Sequence, residues 1–121
     1  MIEIENIGSE VLQRHVILFE ESEIVLTLRF LPMVSIWVFN VEYKGKSSNG
    51  HKLSCKTPHM LSTNFPFDFI VLDNSGNGLD PIDRHDFVNE RCSLFMLEPD
   101  DIENVRGQPV EIVTGKLVES I

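Results

Sequence analysis

Two neighbouring segments alternate with a period of two, and that pattern restricts the fold more than any other feature. In residues 23–31, Ile24, Leu26, Leu28 and Phe30 fall on one side; Glu23, Thr27 and Arg29 fall on the other, with Val25 among them. In residues 34–43, Trp37, Phe39, Val41 and Tyr43 share a face. The opposite face begins apolar with Val34, Ile36 and Val38 and ends polar with Asn40 and Glu42. Successive side chains of a strand point to opposite faces, so each segment predicts a half-buried strand. Residues 11–19 predict a third strand, with Val16-Ile17-Leu18-Phe19 apolar on both sides. Glu20-Glu21-Ser22 and Leu31-Pro32-Met33 link the three, and the proline bars one continuous central strand. The predicted arrangement is an antiparallel meander.

Beyond the meander the signals shorten. Residues 43–50 read as a turn-rich connection, followed by a short strand at 52–55 and an irregular stretch at 57–66 holding two prolines. Residues 68–72 and Cys92–Leu97 predict two further strands. Asp80-Pro81-Ile82-Asp83 and Glu98-Pro99-Asp100-Asp101 each carry the cap, first-turn proline and acidic start of a helix of one or two turns. Residues 109–113 predict a last strand, and 114–121 a tail. About seven short strands with no long helix predict an all-β sandwich or small barrel. The predicted organisation is one domain over 1–106 and a C-terminal extension over 107–121. Strands apolar on both faces, at 16–19, 34–39 and 69–72, predict either a closed barrel or sandwich with partly covered outer faces or a second face packed against another protein, since large exposed apolar faces usually mark interfaces.

Charge and composition exclude several function classes. The chain has 121 residues, with 10 Lys+Arg against 19 Asp+Glu, a net charge of −9. Phosphate backbones need a basic patch, and this balance argues against nucleic-acid binding. No run reaches the length of apolar residues that a membrane helix needs. Met1-Ile2-Glu3-Ile4-Glu5 carries acids where a signal peptide carries bases, so the expectation is a chain used without secretion.

Four chemical candidates stand out. "DNSGNGLD", Asp73 to Asp80, resembles the opening of a calcium loop, with Asp73, Ser75, Asn77, Gly78 and Leu79 at the required positions. Its twelfth position is Arg84 where a bidentate glutamate belongs, and an apolar, strand-like run precedes it. The expectation is therefore a tight turn joining two strands. His51, Cys55, His59 and Cys92 are zinc-compatible ligand types, but Pro58 breaks the helix that would align the first three, and paired Cys-x-x-Cys spacing is absent. Two cysteines build no disulfide framework, so buried thiols are expected. Asp83-Arg84-His85-Asp86 sets an imidazole among carboxylates, without the nucleophile or positioned partner that a base requires. Cys55 beside Lys56 also lacks a partner base. No hydrolase elbow, zinc-protease helix, phosphate loop or dinucleotide fingerprint occurs. The expectation is a protein that is not an enzyme, with no cofactor and no assigned catalytic or metal residues.

The strand "SIWVFNVEY" with Trp37, the loop "KGKSSNGHKLS", and then "FDFIVLDNSGNGLDPIDRHDFVNERCSLFMLEPDD" occur in an order that resembles the baseplate plug proteins of contractile-tailed bacteriophages. The matching parts are Trp37, residues 69–73, Ser75-Gly76 with Asp80-Pro81, and Cys92–Leu97 with Glu98-Pro99; they cover about residues 11–104. The resemblance implies a small all-β structural protein of the virion. Its place would be the tail baseplate near the central hub and the start of the tail tube, after synthesis in the host cytoplasm. Implied partners are hub and tail-tube or tube-initiator proteins, in multiple copies within a symmetric assembly. A tailocin-like particle fits equally. The competing expectation is a β-sandwich module binding a glycan or peptide through Trp37, His51 and His59. Burial of Trp37 favours the assembly reading, since a sugar platform needs an exposed ring.

Overall fold

The computed structural model describes residues 1–56, 58–60 and 65–106. Over these residues the chain is a two-layer antiparallel β-sandwich with one short helix. One sheet runs β2(Leu12–Phe19), β3(Ser22–Leu31), β4(Ile36–Tyr43), β5(Lys46–Lys52) in that order. The other runs β1(Ile2–Glu3), β7(Cys92–Leu97), β6(Asp68–Asp73), and α1(Pro99–Arg106) follows β7.

The period-two pattern sets the faces as expected. Ile24, Leu26, Leu28 and Phe30 of β3, and Trp37, Phe39, Val41 and Tyr43 of β4, are all buried. Phe69 and Val71 of β6 and Leu94 and Met96 of β7 meet them from the second sheet. Aromatic rings knit the layers together. Phe39 lies edge-on to Phe69 at 5.5 Å, and Phe67 contacts both Tyr43 at 5.2 Å and Phe19 at 5.6 Å. Such edge-to-face pairs add about 1 kcal/mol each beyond the area they bury.

Several local expectations need correction. The connection over 43–50 is mostly strand. Lys44 and Gly45, both at positive φ, make a two-residue turn, and β5 pairs directly with β4. Gly45 suits that turn because it lacks the Cβ that penalises positive φ. Polar residues such as Ser47, Ser48 and Asn49 belong to this strand because it lies at a sheet edge, where no second layer demands apolar side chains. The strand expected at 52–55 is a crossing instead. Leu53 still donates to the Trp37 carbonyl at 2.8 Å, but Cys55 bridges Val71 in the other sheet, and Lys56 donates to the Val71 carbonyl at 2.7 Å. The chain thus switches sheets and closes one side of the sandwich.

The short helix expected from Asp80 is a series of turns. Asp86 Oδ2 accepts from the backbone N–H of both Ile82 and Asp83 at 2.8 Å, a side-chain alternative to helical pairing. The helix expected from Glu98 is present as α1, and Asp101 reaches back to the Glu98 N–H at 3.0 Å. It also binds the N-terminal ammonium at 2.8 Å. That contact holds the chain start beside β7, where Ile2–Glu3 adds a strand that the alternation over so few residues does not reveal. The strand expected at 109–113 and the extension over 107–121 lie outside the described residues.

Candidate interaction surface

The calcium-like run is a turn, but not a tight link between strands. It opens the connection from β6 to β7, and Asn74 prolongs the ladder by donating to the Arg91 carbonyl at 2.7 Å. The Asp73 side chain is buried and accepts from Ser75 N at 2.9 Å, Ser75 Oγ at 2.6 Å and Leu79 N at 2.8 Å. Arg91 Nη1 stands 3.2 Å from the same carboxylate. The positive charge that a metal would bring is supplied by a guanidinium. The Ser75 hydroxyl and the Leu79 amide, with Arg91, hold the Asp73 carboxyl well below the usual carboxylate range.

Arg91 organises the rest of this connection. It grips Asp86 with Nε at 3.1 Å and Nη2 at 2.9 Å, and donates to the carbonyls of Leu79 and Asp80 at 3.2 and 2.7 Å. Burial alone would raise the Asp86 carboxyl. The Arg91 hydrogen bond, the Ile82 and Asp83 amides and the Arg91 charge outweigh it and hold the group low. The far end of the loop is anchored to the core. The Trp37 indole N–H donates to the Asp83 carbonyl at 3.1 Å, and Phe87 packs edge-on against Trp37 at 5.4 Å. No sequence motif marks Arg91 as this centre, because its partners Asp73, Leu79, Asp80 and Asp86 precede it at unrelated spacings.

The zinc-compatible residues are spread over different tasks. His59 stands between two backbone groups: Ser54 N–H donates to Nε2 at 2.7 Å, and Nδ1 donates to the Phe69 carbonyl at 2.9 Å. Both ring nitrogens are occupied, as suits a histidine that staples the sheet crossing. His51 lies stacked on Phe39 at 4.9 Å with Nε2 2.6 Å from Ser48 Oγ. Cys92 is buried, and burial pushes its thiol up to about 12, against a smaller opposing pull from Arg91. Cys55 is half-buried at the bridge to Val71. Among the described residues, no group of three or more His, Cys, Asp or Glu side chains is placed to hold a metal ion. Asp83 and His85 form an exposed pair at 3.0 Å on the loop surface.

The surface that the structure leaves open is at β2. The closed side of the sandwich is dense with bonds. Besides the crossing itself, Asp68 is fully buried and accepts from His59 N at 3.0 Å, Met60 N at 2.9 Å and Phe69 N at 2.7 Å. Asp80 accepts from Cys55 N at 2.8 Å. On the opposite side, β1 and β2 share no ladder. Gln13 ties that margin by exchanging hydrogen bonds with Gly8 at 3.0 and 2.8 Å, and residues 2–6 flank a cavity beside His15, Val16 and Ile17.

The backbone of β2 therefore faces outward along its free edge. Phe30 N–H donates to the Val11 carbonyl at 2.8 Å, which makes Val11 and Phe30 a hydrogen-bonded pair. Bonded and non-bonded pairs alternate in an antiparallel ladder, so the odd-numbered residues of β2 pair with β3. Leu12, Arg14, Val16 and Leu18 then aim N–H and C=O away from the sheet. The same residues form its outer face, with Leu12 56%, Val16 45% and Leu18 74% exposed. The outer face expected to be apolar at 16–19 is thus open among the described residues. Arg14 is exposed within this stripe, and Arg29 stands beside Leu12 in the neighbouring strand.

No helix among the described residues is long and apolar enough to cross a membrane. No family model and no curated protein matches the chain.

Proposed function

We propose that this chain is a non-catalytic structural component of a contractile-tail baseplate. Its role would be that of a plug near the central hub and the start of the tail tube, acting by protein–protein assembly. The observation that carries this reading is the open side of the sandwich. There, unpaired backbone groups and an exposed apolar stripe coincide on one strand, a combination that invites strand addition by another protein chain. The resemblance of the sequence order to baseplate plug proteins supports reading that assembly as a baseplate, in a phage or a tailocin-like particle. The polar clusters that first suggested chemistry add support. Asp73 and Asp86 both pair with Arg91 within a loop, and His59 spends both nitrogens on backbone groups.

The competing reading is a β-sandwich module for a glycan or peptide. Trp37 and Tyr43 are buried and present no aromatic platform to a sugar; the β2 edge suits a peptide strand equally well. Light scattering on the purified chain, alone and mixed with hub and tube-initiator proteins, separates the two. The expected result is a stoichiometric complex with at least one of them. A chain that ignores both in every mixture defeats the baseplate reading and directs attention to a peptide screen.

A further inference from the structure

We infer that the β2 edge is a self-association surface, pairing antiparallel with the β2 edge of a second copy of this chain. The inference rests on the assembly reading for its context and goes beyond it by naming one occupant of the open side. Even-numbered residues carry both the outward backbone groups and the outer-face side chains. Two copies related by a two-fold axis can therefore bond only in registers that merge their outer faces into one continuous sheet surface.

Charge selects among those registers. If Leu12 faced Leu18 of the second copy, Arg14 would lie diagonal to the second copy's Arg14, and Glu10 would approach the acidic turn that follows the second copy's β2. Shifting by one pair sets Val16 against the second copy's Val16 at the axis and Arg14 against its Leu18. Arg14 then lies beside the end of the second copy's β2, where Glu20 and Glu21 form the turn into β3, within reach of a long side chain, and the same approach repeats on the other side of the axis. Leu18 is exposed at 74% in the single chain and would be covered by the aliphatic stem of Arg14. The other edge of the same sheet offers no such match, since β5 carries Lys46, Gly50 and Lys52 and is bulged where Phe39 and Val41 shift register.

The test is sedimentation equilibrium of the full chain over a wide concentration range, with three variants. The wild type is expected to show a reversible monomer–dimer equilibrium. Val16→Pro removes an N–H that β3 does not use, and Leu18→Lys sets a cation opposite Arg14. Each should weaken the dimer at least tenfold while the circular dichroism spectrum stays that of the folded wild type. Val16→Cys should cross-link into a covalent dimer on mild oxidation, whereas Leu12→Cys, set beside the turn that follows the second copy's β2, should not. If Val16→Pro fails to fold, Leu18→Lys and Val16→Cys decide the matter. A wild type that stays monomeric at the highest concentration overturns the inference, as does a dimer indifferent to these changes. A monomer that still binds hub or tube proteins would sink the self-pairing alone, and a dimer that binds neither would sink the baseplate reading alone.

Discussion

The two edges of the four-stranded sheet are built on opposite terms. At β5 the edge is polar and lysine-bearing, is broken by a bulge, and continues into a crossing that ties it to the second sheet. These are devices that keep an edge from recruiting another strand. At β2 the strand pairs with β3 without a register shift, exposes Leu12, Val16 and Leu18 around Arg14 on its outer face, and is joined to β1 by no ladder. Among the described residues, one sheet thus has a margin closed by the chain and a margin left open. On the proposed reading, stability and association fall to different margins of the same small sandwich.

The sharpest way to break the comparison is to damage each margin in turn and read the fold. Asp68→Ala strips the charged acceptor from the buried amides of Met60 and Phe69 and from that of His59 on the closed side. Unsatisfied buried donors cost about 1–3 kcal/mol each, so a loss of about 4 kcal/mol is expected. The melting temperature should then fall by roughly 15 °C in calorimetry. Val16→Lys on the open margin should change monomer stability by no more than about 0.5 kcal/mol, as befits an exposed site away from packing. If the two variants melted alike, the closed side would not be where the fold is secured.

Much of this division was readable in advance, for definite reasons. Alternation over 23–31 and 34–43 reports burial directly, because one buried face forces period two; it located β3, β4 and the inner faces of the core. The apolar outer face at 16–19 was visible in the same way. The other edge was not. Residues 46–52 carry neither alternation nor β-branched side chains, and their strand exists because β4 offers a ladder. The crossing at Leu53–Cys55 depends on Val71 and His59, partners remote in sequence or set by a turn, so no local pattern encodes it. The His51, Cys55, His59 and Cys92 set illustrates the same limit. The residue types are zinc-compatible but their spacing argues against a site, and the fold gives His59 to backbone groups on two segments.

A smaller effect sharpens the comparison at the β2–β3 turn. Glu20 and Glu21 both sit at positive φ, at 50° and 66°, in a two-residue hairpin turn. The equivalent turn before β5 uses Lys44-Gly45. Residues with a Cβ pay about 1 kcal/mol in this region, and Asn-Gly is the favoured pair. Glu20→Asn with Glu21→Gly should therefore stabilise the monomer by about 1 kcal/mol, read as an upward shift in the denaturation midpoint at unchanged slope. The same change removes the acidic partner proposed for Arg14 of a second copy, so the dimer should weaken while the monomer gains. Parallel gains in both would show that Glu20 takes no part in association.

The smallest effect concerns pH, and it too has one group on each margin. Burial lowers the His15 imidazole on β2 below its ordinary value of 6.5. Burial lowers His51 on β5 likewise, aided by neighbouring His59 and opposed by Asp68. A histidine lowered in the folded state leaves the unfolded chain binding more protons near and below 6.5. Its contribution is complete above that pH and fades as pH falls through the lower folded value. Asp73 and Asp86, held below the ordinary 3.8, keep their contribution down to that region and lose it only in stronger acid. Melting temperature should therefore decline gently below about pH 6.5 and steeply below about pH 4. His51→Gln, which can still bond Ser48, should flatten the first decline, and Arg91→Ala should remove the Asp86 share of the second, since Asp86 loses the hydrogen bonds and charge of Arg91 while Asp73 keeps those of Ser75 and Leu79. Were the mild decline untouched in both His15→Gln and His51→Gln, neither margin would carry a histidine that burial disfavours protonating.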